Sequence, residues 1–388
     1  MVGGALTSVA LGGLWVAIHE IPGFGPALAD GVRSVLGPTA VAVAEDVAYG
    51  VADFVNVQTR ADEAPKTFWE EPAALPALAP AAAGEAPLDP MQSAPPAFAP
   101  PFPKVAAEHD GRWFPMRAPW DAGPIAMYKA QVHPDPKRPF AAVAVVAMDL
   151  TQLDLALVAG TDEPKSQQVP RADRPGLVPA ADQARLVAAF NGGFKAMHGN
   201  YGMRIGDKTF LPPRSIACSV AHLSGSAILI RTHSELGAAE HTATWYRQTP
   251  PCLIENGEPN PGLLHEYNKN WGATVGGETI IRRSALGVSK DGRYVFYALG
   301  DAVTAQSIGR AMQVVGSHGA AQLDVNHSYP RFLLFEQGAS GVSATQPLIE
   351  DLKYNPGDYV GTASQRDFFY VTRKDARQSQ NDANKPAG

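Results

Sequence analysis

The chain has 388 residues, 45% hydrophobic and 18% charged, with a net charge of −6 and a pI of about 5.9. That length carries one large domain or two ordinary ones with a substantial core. The acidic balance and the lack of any Lys/Arg-rich run exclude nucleic acid as the main partner.

At the N-terminus, Gly3 to Ile18 contains no charged residue. It is short for a spanning helix, which needs roughly 20 residues, and it lacks the basic flank of a standard signal peptide. It reads as an uncleaved signal-anchor, or as an apolar helix packed on the rest of the protein. Val43, Val47, Val51 and Phe54 follow at helical spacing and predict an amphipathic segment. Residues 1–60 are therefore expected to tether the protein to a membrane. From Ala64 to Pro103 eleven prolines sit among alanines. Proline fixes φ and removes amide donors, so residues 61–112 are expected to form a semi-extended spacer.

The globular body is expected over 113–373, with a polar, disordered tail at 374–388. Phe140–Leu150 and Leu153–Ala159 read as two strands joined by a short turn at Thr151-Gln152. Ala181–Val187 predicts a short helix, and Leu186–Phe190 a buried strand entering a Gly-rich turn. Ser215–Leu223 and Ala227–Thr232 read as a strand pair, and Pro250–Gly277 as loop. Ser284–Val288 and Tyr294–Leu299 predict strands around a Lys290–Arg293 turn. A helix follows near Thr304–Val315, then a buried strand, Ala320–Val325, and a last strand over Asp367–Val371. Strands outnumber helices without strict βα alternation, which predicts an α+β fold with a mixed, mainly antiparallel sheet and a few flanking helices.

Two places carry candidate chemistry. Phe190-Asn191-Gly192-Gly193-Phe194 is followed by His198-Gly199-Asn200. Paired glycines allow close backbone approach to a ligand, and Asn191 and His198 can present hydrogen bonds to hydroxyls or phosphate oxygens. An ordinary tight turn closed by an Asx interaction fits the same spacing. The second place is the strand end carrying Asp324, Asn326, His327 and Ser328. A rigid element that stops on a carboxylate, an amide, an imidazole and a hydroxyl holds polar groups in place. Arg283, on the neighbouring strand, suits bidentate phosphate binding, or a carboxylate pair that locks two strands. HExxH, GxSxG and GxxxxGK[ST] are missing. Cys218 and Cys252 fit no metal spacing and no CxxC motif. One disulfide in an exported protein and two separate buried thiols remain equally open. No metal or cofactor is expected.

Asn191–Phe194 (NGGF), Arg283–Val288 (RSALGV) with its KDGR turn, and a helix leading into Gln322–Ser328 (QLDxxxS) occur in one order. In this the chain resembles the phosphodiester glycosidase family. That family includes N-acetylglucosamine-1-phosphodiester alpha-N-acetylglucosaminidase-like domains and bacterial exopolysaccharide-associated members. The resemblance covers roughly Phe140 to Val371. Two departures stand out. The family's NGGFF ends here on Lys195, and its LDGGGS becomes LDVNHS, so Val325, Asn326 and His327 replace three glycines. Side chains then fill space that glycines leave open to a phosphate or sugar ring.

The resemblance implies an exported hydrolase of the cell envelope, acting on sugar phosphodiesters or related exopolysaccharide linkages. Asp324 is the expected catalytic carboxylate, His327 the proton shuttle and Arg283 the phosphate holder. Asn191, Gly192, Gly193, His198, Asn326 and Ser328 are expected to line the substrate. A second carboxylate would come from Glu255, Glu266, Glu278 or Asp301. Two alternatives are a catalytically inactive glycan-binding protein of the same fold and a structural envelope protein.

Overall fold

A computed structural model describes residues 53–60, 63–69, 91–225, 227–264, 270–272, 280–339, 341–350 and 352–374. The apolar N-terminal segment and the tail beyond 374 lie outside these. Among the described residues no helix is long and apolar enough to cross a membrane.

Long apolar runs form three antiparallel sheets. The largest has eight strands: β1 (Phe114–Met116), β2 (Met127–Val132), β3 (Val143–Asp149), β14 (Tyr294–Val303), β13 (Ile281–Ser289), β15 (Ser317–Val325), β11 (Ile254–Glu255) and β12 (Glu258–Pro259), in that spatial order. One five-stranded sheet is ordered β7 (Lys208–Leu211), β6 (Met203–Ile205), β10 (Ala243–Thr249), β8 (Cys218–Leu223), β9 (Ile228–Thr232). The other runs β17 (Gly341–Pro347), β16 (Phe332–Gly338), β5 (Leu186–Asn191), β18 (Phe368–Arg373), β4 (Leu153–Val158). The α+β expectation of mainly antiparallel strands with few helices agrees with this architecture.

The central strands are buried along most of their length because both faces are covered. Along β14, Val295, Tyr297 and Leu299 enter the core shared with the two smaller sheets. Tyr294, Phe296 and Ala298 point the other way, into a second core. The helix Ala305–Val314 covers that second core with Ala305, Ile308, Ala311 and Met312. Thr304 caps its start, accepting from the Ser307 amide at 2.9 Å. Gly316, at φ +88°, lets the chain turn away from its end. The hairpin read around Lys290–Arg293 forms as β13 and β14. The expected pair Ser215–Leu223 and Ala227–Thr232 forms as β8 and β9. Thr151-Gln152, by contrast, is not the turn of a hairpin. β3 pairs with β2 and β14, whereas β4 pairs with β18, so the chain changes sheets there.

Within the expected spacer, residues 63–69 and 91–112 dock on the body. Prolines keep them out of the sheets, but apolar and aromatic anchors hold them. The Trp69 indole donates to the Leu348 carbonyl (3.3 Å), Tyr294 OH to the Ser93 carbonyl (2.7 Å), and Trp113 to the Pro96 carbonyl (3.0 Å). Upstream, Asp53 on the helix 53–60 accepts two 2.8 Å bonds from Arg138.

Trp69 also covers Lys129, whose ammonium lies 4.5 Å from its ring centroid. Burial lowers the Lys129 pKa to about 8, against an opposing pull from Glu350. Between that value and the ordinary 10.5 the unfolded chain binds a proton that the folded chain has released. This group therefore adds stability as pH rises through that window. Lys129→Met should flatten the slope, measured as urea midpoints at several pH values from neutral to alkaline. An unchanged slope would show the ammonium to be solvated.

Cys218, opening β8, and Cys252, ahead of β11, form a disulfide between residues 34 apart in sequence. It staples the β8 sheet to the eight-stranded one. Reduction is expected to lower unfolding stability by roughly 2–4 kcal/mol, mainly by freeing the unfolded chain. Matched urea titrations with and without reductant check this, and coincident midpoints would refute it.

Candidate functional site

The ends of β5 and β15 and the starts of β13 and β18 meet at one rim. Beneath it Phe190 stacks between the sheets, with ring centroids 4.8 Å from Tyr297, 5.7 Å from Phe332 and 5.4 Å from Phe369. On this floor sits Asn191, fully buried. Its amide nitrogen donates to Ser284 Oγ (2.8 Å) and the Gly192 carbonyl (3.0 Å). Its oxygen accepts from Tyr297 OH (2.7 Å) and the Arg331 amide (3.2 Å). A primary amide offers two donors and two acceptors, so all four are engaged within the protein.

The paired glycines are explained the same way. A Cβ on Gly192 would stand 2.2 Å from Asp367 Oδ2 and 2.4 Å from its backbone oxygen, and one on Gly193 would stand 2.8 Å from the Arg247 guanidinium carbon. The Gly192 amide donates to the Asp367 carbonyl and the Gly193 amide to Asp367 Oδ2, both at 2.9 Å. The turn thus wraps a fully buried ion pair. Arg247 grips Asp367 in bidentate fashion, Nε to Oδ2 at 2.8 Å and Nη2 to Oδ1 at 3.2 Å.

Asp324 joins this knot. Its amide donates to the Gly192 carbonyl (3.2 Å), and its carbonyl accepts from Ser284 Oγ (3.1 Å). The β13–β15 register shifts between Arg283 and Ala285, so a bulge falls at the Asp324 end of β15. Bulges re-aim side chains, and here the Asp324 carboxylate faces Arg366, with Oδ2 2.7 Å from Nη1. Arg366 lies over Tyr329, its guanidinium carbon 4.1 Å from the ring centroid, and donates from Nη2 to the Gly193 carbonyl at 3.0 Å. Burial opposes the charge on Arg366, but the Asp324 carboxylate beside it holds its pKa above the usual guanidinium range. Burial, reinforced by Tyr359, pushes the Tyr329 phenol well above its ordinary value. That phenol stays neutral and donates to the Asp367 carbonyl at 2.9 Å.

The remaining expected residues spread around the rim. Asn326 is half-buried, and its side-chain oxygen accepts from the Ser328 amide (2.8 Å). His327 and Ser328 are exposed. Arg282 donates to the His327 carbonyl (2.6 Å) and pairs with Asp301, which brings Asp301 to the same rim. Val325 lies against Gly272, where a Cβ would be 3.9 Å from its own. His198 is exposed at the end of the 3-10 turn Ala196–His198.

Arg283 stands apart. It is 1% exposed and donates to the carbonyls of Val303 (3.1 Å) and Trp271 (2.6 Å) and to Gln322 Oε1 (2.9 Å). These partners are groups of the protein itself, on β14, β15 and the loop holding Trp271. Glu255 accepts from Thr232 on β9. Its neighbour Ile254 pairs with Ala320, four residues or about 13 Å along the strand from Asp324. Glu266 and Glu278 lie outside the described residues.

Sequence reasoning missed Arg247, Tyr329, Arg366 and Asp367. No spacing signal marks Arg247, which is more than a hundred residues from its partner. Arg366-Asp367 immediately before the final strand was the one available sign: two opposite charges at the mouth of an apolar run.

No family model matches the chain, and no curated protein matches it. Among solved structures it is similar to the catalytic domain of zebrafish N-acetylglucosamine-1-phosphodiester alpha-N-acetylglucosaminidase auto-inhibited by its pro-peptide. The identity is 11% over 72% of this chain and 96% of that one, at a TM-score of 0.42. It is also similar to a hypothetical protein from Synechocystis (11% identity, 68% and 62% covered, TM-score 0.32). A third likeness is to the "putative exported protein" of Burkholderia pseudomallei (12%, 60% and 74%, TM-score 0.31). At these values the likeness is a distant one of fold.

Proposed function

We propose that the chain is an exported, membrane-tethered glycosidase-like hydrolase that acts on sugar phosphodiesters or related envelope glycan linkages. One observation carries this reading: Asp324, nearly buried at a bulged strand end, faces the cationic Arg366 at the rim that also holds Asn326, His327 and Ser328. In the reaction the bond from the anomeric carbon to the phosphate oxygen breaks. The phosphate leaves with the electron pair, and water supplies the new hydroxyl. Asp324 attacks the anomeric carbon or takes the water's proton, and His327 relays that proton to solvent. A phosphate leaving group is already a weak base, so the demand for a strong acid is small. Because Arg283 is committed behind the strand, the phosphate-holding role passes to Arg366. Asn191, Gly192 and Gly193 hold the scaffold rather than the sugar. The disulfide and the apolar N-terminus support export, since disulfides persist in oxidising compartments.

The inactive glycan-binding reading also has a specific support: Arg366 already occupies the Asp324 carboxylate, and Val325 fills glycine space. Incubating the full chain with a sugar-1-phosphodiester, beside Asp324→Asn, separates the two. Release of phosphomonoester by the wild type alone supports hydrolysis. Glycan binding without turnover transfers the case to the second reading.

A further inference from the structure

Two Arg–Asp pairs stand side by side at this rim, and they are built differently. Arg247 holds Asp367 with the Nε/Nη2 fork, the geometry that suits a permanent carboxylate partner. Arg366 comes closest to Asp324 through Nη1, at 2.7 Å. Among the described residues its buried Nε has no hydrogen-bond partner, and Asp324 Oδ2 has none aligned beyond the ion contact. Both side chains are nearly buried, 11% and 3% exposed. Buried donors and acceptors left unmet are costly, so this pair is poorly satisfied where its neighbour is complete. Stacking on Tyr329 holds the guanidinium plane at the rim while leaving its edge to exchange partners.

We propose that Arg366 is a receptor for a phosphate-class anion, and that Asp324 occupies its seat in the ligand-free chain. Anion binding and release of the Asp324 carboxylate are then one exchange. A phosphodiester takes over the guanidinium edge, and Asp324 is left uncompensated beside the sugar, where a base or nucleophile is needed. A neutral glycoside offers no anion and leaves Asp324 locked. This rests on the hydrolase reading for the use made of Asp324, but the exchange itself does not.

The test is calorimetric titration of the full-length protein with inorganic phosphate. Asp324→Asn removes the internal competitor and should tighten phosphate binding roughly ten- to hundredfold, the population of free Arg366 having risen by that factor. Arg366→Gln should abolish it. Unchanged or weaker affinity in Asp324→Asn, no phosphate binding at all, or binding that survives Arg366→Gln overturns the proposal. Should either variant fail to fold, a crystal structure of the wild type grown in phosphate decides: Arg366 is expected on the anion and out of ion-pair distance from Asp324. Finding it still on Asp324 refutes the exchange. Assays with a sugar-1-phosphodiester and an uncharged aryl glycoside of the same sugar keep the two readings apart. Phosphate exchange without any turnover ends the hydrolase reading alone. Equal turnover of both substrates ends the exchange alone.

Discussion

Asp367→Ala is expected to lower unfolding stability by roughly 3–5 kcal/mol, the cost of stranding a buried charge. Both side chains of the Arg247–Asp367 pair are fully buried, so the guanidinium left behind cannot reach water. The Gly193 amide loses its acceptor at the same time. Arg247 still donates to the Tyr201 and Gln248 carbonyls at 3.0 Å, but carbonyls do not cancel its charge. Urea unfolding followed by tryptophan fluorescence reads the effect. The double variant Arg247→Met/Asp367→Leu should recover part of the loss, because an apolar pair of similar size strands no charge, although the Gly193 amide still lacks its acceptor. A single-variant loss of less than about 1 kcal/mol, against the 3–5 expected, would mean that water or a neighbour compensates Arg247.

Asp324→Asn should cut turnover of a sugar-1-phosphodiester by roughly 10²–10⁴-fold, the usual span for losing a positioned proton-transfer group. Asparagine keeps the shape of the side chain and the strand-end bonds, since the Gly192 and Ser284 contacts are made by the Asp324 backbone. The loss should therefore fall on kcat, and any fall in melting temperature reads the Arg366 charge left without its partner. His327→Gln, on the exposed rim, should cost less and shift the pH profile. If Asp324→Asn retains full turnover, the carboxylate has no part in the chemistry.

Much of the architecture was legible because it is local. The β13–β14 hairpin, its glycine turn and the capped helix each follow from period, turn chemistry and cap residues within a few positions. Sheet membership was not. Thr151-Gln152 looks like any short hairpin turn, and nothing nearby says that Leu153 will seek Arg373 instead of Leu150. The site divides likewise. Asp324 at an apolar strand's end is visible in the chain. Its partner Arg366 and the Arg247–Asp367 pair depend on contacts made only after three sheets close. Arg283 misled because its spacing shows which strand carries it but not which face it occupies.

Asn191 with every valence filled, and two glycines moulded round a buried ion pair, have a consequence for tracing ancestry. Such a turn is demanded by the shape of the molecule whatever reaction it performs. Chains collected by their NGG turn will therefore share a skeleton and differ freely in chemistry. Divergence in substrate should instead be written at positions 325–327, where the side chains are half-buried or exposed and a change costs the scaffold least.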